Sequence, residues 1–157
     1  MIVFIDSGVL GLLSSPSDNP VAINSQEWLY SLLARGVYLI SSEICDYEVR
    51  RGLILTSLTK TTQASGLDIL DGLATNLIDF LPITKIALRQ AALLWAECRS
   101  QGMPTADTLN IDVDVIIAAQ CQLMQEQQPG QDLVVATTNV KHLSRFVNAK
   151  KWQDISF

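Results

Sequence analysis

The chain has 157 residues, 48% hydrophobic and 17% charged, and a formal net charge of −5 at pH 7. This length fits a single domain over residues 1–157, and the high apolar content indicates a protein interface, hence an oligomer. Acids outnumber bases 16 to 11, which argues against a simple polyanion binder, so any phosphate contact must be local.

Segments that would direct the chain to a membrane or to secretion are not evident in the sequence. The longest apolar runs are shorter than a membrane span, and residues 1–5 lack the basic flank and cleavage site of a signal peptide. We therefore expect a cytoplasmic protein. The three cysteines, Cys45, Cys98 and Cys121, form no C-x-x-C pair, so we expect them to pack in the core.

The first predicted strand, residues 2–5, ends directly before an acid. Its continuous apolar run is typical of a strand buried on both faces of a parallel sheet. Ligands in open α/β sheets collect beyond the carboxyl ends of the strands, so Asp6 is a candidate site residue, with Ser7 and Gly8 at the turn. The alternative is that Asp6 forms an Asx turn or caps the next helix.

A second acid lies on a predicted helix farther along the chain. A loop (14–20), a helix with a Trp28, Leu29, Leu32 and Leu33 stripe that ends at Gly36, and a strand (37–40) lead to a helix from Glu43, capped by Ser42. On this helix Glu48 lies on the inward face, whereas Asp46 and Arg50 lie farther toward solvent. Glu48 therefore needs a partner, which is either a metal or a salt bridge from Arg50 or Arg51.

The middle of the chain is patterned less clearly. Residues 60–79 predict one helix or two short ones, with Leu67, Leu70, Leu73 and Leu77 as the apolar stripe. A short strand at 80–83 contains Pro82, which indicates an edge or a strand end. A helix from Thr84 closes near Gly102, and a loop (102–107) follows.

Two acids open the otherwise apolar segment at 110–120. Helical packing would bury this segment, and an unpaired buried carboxylate costs several kcal/mol. Asp112 and Asp114 are therefore candidate metal ligands. Alternatively, Asp112 is an N-cap and Asp114 a first-turn acid that the helix dipole favours.

The last strong strand, residues 132–137, is followed by Thr138 and Asn139. Asn139 either caps a short helix around 142–146 or offers its carbonyl oxygen to a metal-bound water. We expect His142, the one histidine, to pack beside the site. Residues 152–155 predict a small edge strand, and the whole pattern predicts an α/β/α domain with a parallel sheet of four or five strands.

Four short motifs in this order resemble those of PIN-domain ribonucleases, most closely VapC-type toxins of toxin–antitoxin pairs. They are residues 4–10 (FIDSGVL), 47–52 (YEVRRG), 114–120 (DVIIAAQ) and 136–143 (ATTNVKHL). The resemblance implies that Asp6, Glu48 and Asp114 are catalytic, metal-binding acids. The fourth position is often Asp in the family and is Asn139 here, with Asp112 as an additional acid.

The resemblance further implies an endoribonuclease that uses Mg²⁺ or Mn²⁺, because hard oxygen ligands suit these cations. Ser7, Arg50 and Thr138 are candidate substrate-binding residues. An antitoxin partner and a homodimer are implied as well, with the leucine stripes of the early helices expected at the dimer face. Two alternatives stay open: a PIN-like module that binds RNA or protein without cutting, and, more remotely, a receiver-like domain with a phospho-acceptor Asp.

Overall fold

A computed structural model describes residues 1–16, 19–59, 65–102 and 112–156. Within these ranges the strands are β1 (Ile2–Ile5), β2 (Tyr38–Ser42), β3 (Asp79–Leu81), β4 (Leu133–Thr137) and β5 (Ala149–Lys151). The helices are α1 (Ser7–Leu13), α2 (Pro20–Ala34), α3 (Glu43–Thr59), α4 (Ser65–Asn76), α5 (Lys85–Ser100), α6 (Val113–Gln127) and α7 (Val140–Leu143), and a 3-10 turn covers Trp152–Asp154. Residues 17–18, 60–64 and 103–107 of the predicted loops and helices lie outside the described ranges.

All five strands are parallel, in the order β3-β2-β1-β4-β5. The chain moves one way from β1 to β3 and the opposite way from β3 to β5. Because such crossovers are right-handed, α1 to α4 cover one face of the sheet and α5 to α7 the other. In agreement, α1 packs against α2 and α3, and α6 packs against α5 and α7. The predicted α/β/α architecture is confirmed, with five strands in the sheet.

The two central strands, β1 and β4, carry the core. Every residue of both strands is buried, and Phe4 and Val135 are fully inaccessible. This is the burial expected of parallel strands covered by helices on both faces. Because the strand order reverses between these neighbours, their carboxyl ends form the crevice in which open α/β sheets bind ligands.

Two local predictions need correction. Ser7 begins helix α1 rather than lying in a simple turn, and Asp6 caps that helix. The final edge strand is Ala149–Lys151, whereas Trp152–Asp154 is a 3-10 turn. The apolar Trp152 and Ile155 are buried for a different reason: the indole of Trp28 donates to the Ile155 carbonyl (2.9 Å) and its ring contacts that of Trp152.

The leucine stripes expected at a dimer face are instead packed within the chain. Leu29, Leu32 and Leu70 are at most 1% exposed and Leu73 is buried, while Trp28, Leu33, Leu67 and Leu77 are half-buried. Amphipathic helices ordinarily bury such a stripe on their own sheet. Exposed apolar side chains outside these stripes include Val21, Ile23 and Tyr30 on α2, Leu55 and Leu58 on α3, and Ile86 and Leu93 on α5.

The cysteine prediction is confirmed, because Cys45, Cys98 and Cys121 are buried and free. Burial raises the pKa of the Cys45 thiol to about 12, so this thiol stays protonated at neutral pH. Among the helices of the described ranges, none combines the length and the apolar character needed to cross a membrane.

Candidate active site

Asp6 lies at the carboxyl end of β1, where β1 and β4 meet. It is 8% exposed, and its Oδ1 accepts a hydrogen bond from the Val9 N–H at 2.8 Å. Burial raises the pKa of Asp6 to about 6, against the opposing hydrogen bonds from the Thr137 hydroxyl and the Val9 N–H, and the charge of Asp114 raises it further. Asp6 thus caps α1 and also places a buried carboxyl group in the crevice.

Helix α6 brings two further acids to the same edge of the sheet. Asp112 is the N-cap and is 7% exposed, and its Oδ1 accepts from the Val115 N–H at 3.4 Å. Asp114 is half-buried in the first turn, 3.1 Å from Nδ1 of His142. Burial raises the pKa of Asp114, a hydrogen bond with His142 lowers it, and the negative charges of Asp112 and Glu48 raise it. Asp112 therefore caps α6, and both acids also belong to the cluster of carboxyl groups at this edge of the sheet.

Glu48 approaches from α3 and is held by side chains. Its Oε2 accepts from the Ser7 hydroxyl at 2.7 Å, and Nη2 of Arg51 lies 3.5 Å from its Oε1. The alternative of a salt bridge to Arg51 is thus present, at a long distance. Arg50, by contrast, pairs with Asp46 at 2.9 Å and with Asp71 at 2.7 Å, which raises its pKa further above the ordinary value. The structure therefore places Arg50 in a link between α3 and α4 and not among these acids.

Thr138 and Asn139 follow β4 at the exposed margin of the site. A Cβ at position 8 would overlap Oγ1 of Thr138, so Gly8 permits α1 and the turn after β4 to approach closely. Asn139 occupies the N-cap position of α7, but its side chain makes no capping hydrogen bond; its backbone N–H donates to Oγ1 of Thr137 at 2.9 Å. The capping alternative for Asn139 is not what the structure contains.

The chemistry of these donors fits a divalent cation. Burial and like charge both disfavour ionised Asp6 and Asp114, and a bound cation would reverse that effect. Within residues 1–16, 19–59, 65–102 and 112–156, however, no three His, Cys, Asp or Glu side chains are arranged as a set of metal ligands. Each acid is instead turned to a hydrogen-bond donor, as expected of repelling carboxylates. That these carboxyl groups come close enough to one another to share a metal ion stays a prediction.

For two residues, sequence reasoning does not identify the contact made in the site. Thr137 was counted as part of a strand, yet its hydroxyl contacts Asp6. His142 was expected to pack beside the site, and it touches Asp114 directly. The reversal of strand order sets the ends of β1 and β4 side by side, and the sequence carries no local signal for that order.

An open cleft of about 480 Å³ adjoins Glu48. Its walls come from the first turns of α1 and the middle of α3, and they include Ser7, Gly8, Gly11, Glu48, Arg51 and Gly52. The three glycines leave backbone exposed on both walls. Glu48 is therefore accessible from this side.

Comparison with known proteins identifies the fold. No family model and no curated protein matches the sequence. A chain of the VapBC-1 structure from nontypeable Haemophilus influenzae superposes with a TM-score of 0.66 at 16% identity, over 98% of this chain and 100% of that one. A chain of VapBC2 from Rickettsia felis, solved with a DNA fragment from its promoter, gives 0.66 and 16% over 97% and 99%. The chain therefore has a VapC-like PIN-domain fold.

Proposed function

We propose that this chain is a metal-dependent endoribonuclease that hydrolyses RNA phosphodiester bonds as the toxin of a toxin–antitoxin pair. One observation carries the proposal: Asp6 and Asp114 are carboxyl groups with raised pKa values at the ligand-binding crevice of a PIN-like fold. Displaced pKa values in a crevice are typical of functional sites, and this cluster gains most from a bound cation.

Asp6, Glu48 and Asp114 would hold Mg²⁺ or Mn²⁺, with Asp112 as a further donor and Asn139 acting through a water. When bound, such a cation lowers the pKa of a coordinated water and offsets charge on a phosphate. The protein would supply the positions of the donors. Hard oxygen ligands of this kind match these cations rather than softer transition metals.

The residues around the acids would fix their orientation. The Val9 N–H and the Thr137 hydroxyl hold the carboxyl group of Asp6, and the Ser7 hydroxyl holds Glu48. His142 contacts Asp114, which makes it a positioning residue in this scheme. Thr138, exposed at the rim, remains our candidate for contact with the substrate.

The partners follow from the same proposal. The cleft beside Glu48 offers an antitoxin segment a route to the acids, and the VapBC structures that share the fold favour such a partner. A homodimer is proposed as well, now through exposed apolar residues such as Leu58 on α3 or Ile86 on α5. Sedimentation at micromolar concentration tests it, and a monomer there would remove this part of the proposal.

Cleavage of RNA by the purified protein tests the central proposal. With Mg²⁺ or Mn²⁺ we expect cleavage that EDTA abolishes and that Asp6→Asn lowers by about a hundredfold or more, because a metal ligand is lost. Asp132→Asn is the matched control, since this exposed acid lies at the opposite end of β4. Equal activity of the two variants would contradict the assignment of Asp6.

The alternative is a PIN-like module that binds RNA or a protein without cutting. It is favoured by Asn139 in place of an acid and by the turning of Glu48 toward Ser7. Metal-independent RNA binding without cleavage, unchanged by Asp6→Asn, would support this alternative.

A further inference from the structure

The positive charge of this acidic chain is concentrated in one segment. Residues 133–153 contain no acid and four of the 11 bases, namely Lys141, Arg145, Lys150 and Lys151. This segment comprises β4, α7 and β5, and it therefore borders the acidic site. In a chain with a net charge of −5, such a local concentration of bases is where phosphates can be attracted to lysine and arginine side chains.

The register of the sheet determines which of these bases faces the site. Thr137 of β4 pairs with Lys151 of β5, and Ala136 pairs with Lys150. Paired residues of neighbouring parallel strands point to the same face, and successive residues of a strand point to opposite faces. Lys151 therefore projects from the face that bears the Thr137 hydroxyl, which contacts Asp6.

Lys150 projects to the other face, where it borders a polar pocket with Asp132 and Asp154 at the opposite end of the strands. These two adjacent lysines thus have the same charge and similar exposure but different surroundings. One shares a face with the acidic site, and the other lies among acids away from it.

Asp6, Thr137 and Lys151 form a lateral row across β1, β4 and β5. The Asp6 N–H donates to the Ala136 carbonyl, so Asp6 continues the register in which Ile5 pairs with Ala136. Two strand spacings separate Asp6 from Lys151, roughly 10 Å between their Cα atoms. At that separation the ammonium group of an extended lysine lies beside the carboxyl groups of the site and does not cover them.

Lys141 of α7 is a second exposed base near the acidic site. It is exposed and precedes His142, the residue that contacts Asp114. Within the described ranges neither Lys141 nor Lys151 forms an ion pair with an acid. Both ammonium groups are therefore available to an anion from outside the chain.

We propose that Lys151, assisted by Lys141, binds a backbone phosphate of the RNA strand beside the bond at the acidic site, so that the strand runs from Asp6 over the β5 edge of the sheet. This inference rests on the proposed function and specifies where its substrate lies. RNA is favoured over an acidic peptide as the ligand of this surface. The acids beside the lysines would repel the carboxylates of a peptide, whereas a cation held by the same acids would attract a phosphate.

Binding of a short fluorescein-labelled single-stranded RNA, measured by anisotropy in EDTA over a range of KCl concentrations, tests this inference. Lys151→Ala should weaken binding about fivefold and lower the slope of log affinity against log salt by about 0.7, the value for one phosphate contact on a single strand. Lys151→Arg should retain both, and Lys150→Ala, the matched control, should change neither. Lys151 is exposed, so unchanged melting curves are expected for each variant.

The outcomes separate this inference from the proposed function. Wild-type protein that cleaves RNA with Mg²⁺, together with equal effects of Lys151→Ala and Lys150→Ala, overturns the role of Lys151 alone. Wild-type protein that neither binds nor cleaves RNA overturns the proposed function and this inference with it. Loss of binding to a glutamate-rich peptide in Lys151→Ala, with RNA binding intact, would reassign the surface to an acidic protein partner.

Discussion

The candidate site has a strand half and a helix half, which are held in different ways. In the strand half, Asp6 is 8% exposed and is fixed by the main chain of α1 and by Thr137 of the neighbouring strand. In the helix half, the side chains of Glu48 and Asp114 are 27% and 31% exposed and are held by side chains alone, Glu48 by Ser7 and Arg51 and Asp114 by His142. The strand half is therefore preorganised, and the helix half can turn its carboxylates toward a cation or a substrate.

The largest effect should come from the buried carboxyl group of the strand half. The folded pKa of Asp6, about 6, exceeds the unfolded value of 3.8, so the folded state holds the extra proton between these values. Stability of the metal-free protein should thus be greatest, as far as this group is concerned, below about pH 4, and should decrease by about 3 kcal/mol as the pH rises to about 6 and above.

Denaturant unfolding in EDTA across this pH range measures the effect. Asp6→Asn keeps an oxygen that can cap α1 and removes the titration, so the variant should become more stable than wild type as the pH rises. Asp132→Asn should leave the pH dependence unchanged. A difference between wild type and Asp6→Asn that is flat with pH would contradict the burial of charge in the strand half.

The sequence predicts the acid of the strand half, Asp6, but it does not predict the contacts that hold this acid. The apolar run of β1 and the following Asp6 are local signals, as are Thr84 before α5 and Asp112 before α6. The contact between Asp6 and Thr137 depends on β1 and β4 being neighbours, which residues 131 positions apart do not reveal. The resemblance to PIN-domain ribonucleases supplied the order of the acids, and the structure supplied their partners.

The leucine stripes show a different limit. A stripe such as Leu29 and Leu32 indicates that one face of a helix is covered, but the covering surface depends on the whole topology. Here two helical layers cover a five-stranded sheet, and these leucines are buried within the chain. Leu58, at 79% the most exposed large apolar residue in the part of the chain that the structure describes, is a weaker sequence signal because it lies near the end of α3.

Metal binding should also distinguish the two halves. Its expected effect on the free energy of unfolding is slightly smaller than that of the Asp6 titration. If Asp6 and the helix-half acids share a cation, Mg²⁺ or Mn²⁺ at a hundred times its Kd should stabilise the protein by about 2.7 kcal/mol. Asp114→Asn should raise the melting temperature of the metal-free protein, because a carboxylate disfavoured by burial is removed, and should abolish the response to metal.

Thermal melts with and without metal decide this point, with Asp68→Asn on the exposed side of α4 as the control. The control should respond to metal as wild type does. A protein whose melting temperature ignores both metals would mean that the helix half does not complete a cation site.

The smallest effect should come from Ser7, the residue that joins the two halves. It begins α1 directly after Asp6, and its hydroxyl donates to Glu48 at 2.7 Å. Ser7→Ala removes one hydrogen bond to a half-buried carboxylate and should destabilise the protein by about 1 kcal/mol. Ser31→Ala is the matched control, because its exposed hydroxyl donates to the Trp28 carbonyl within α2, away from the site.

Because Ser7 orients a proposed metal ligand without being one, its loss should act on metal affinity more than on turnover. We expect the Mg²⁺ concentration for half-maximal cleavage to rise about tenfold in Ser7→Ala, with cleavage at saturating metal within about threefold of wild type. An equal loss at all metal concentrations would instead make Ser7 a substrate contact. In that case Glu48 would be held by the fold as firmly as Asp6, and the two halves of the site would not differ.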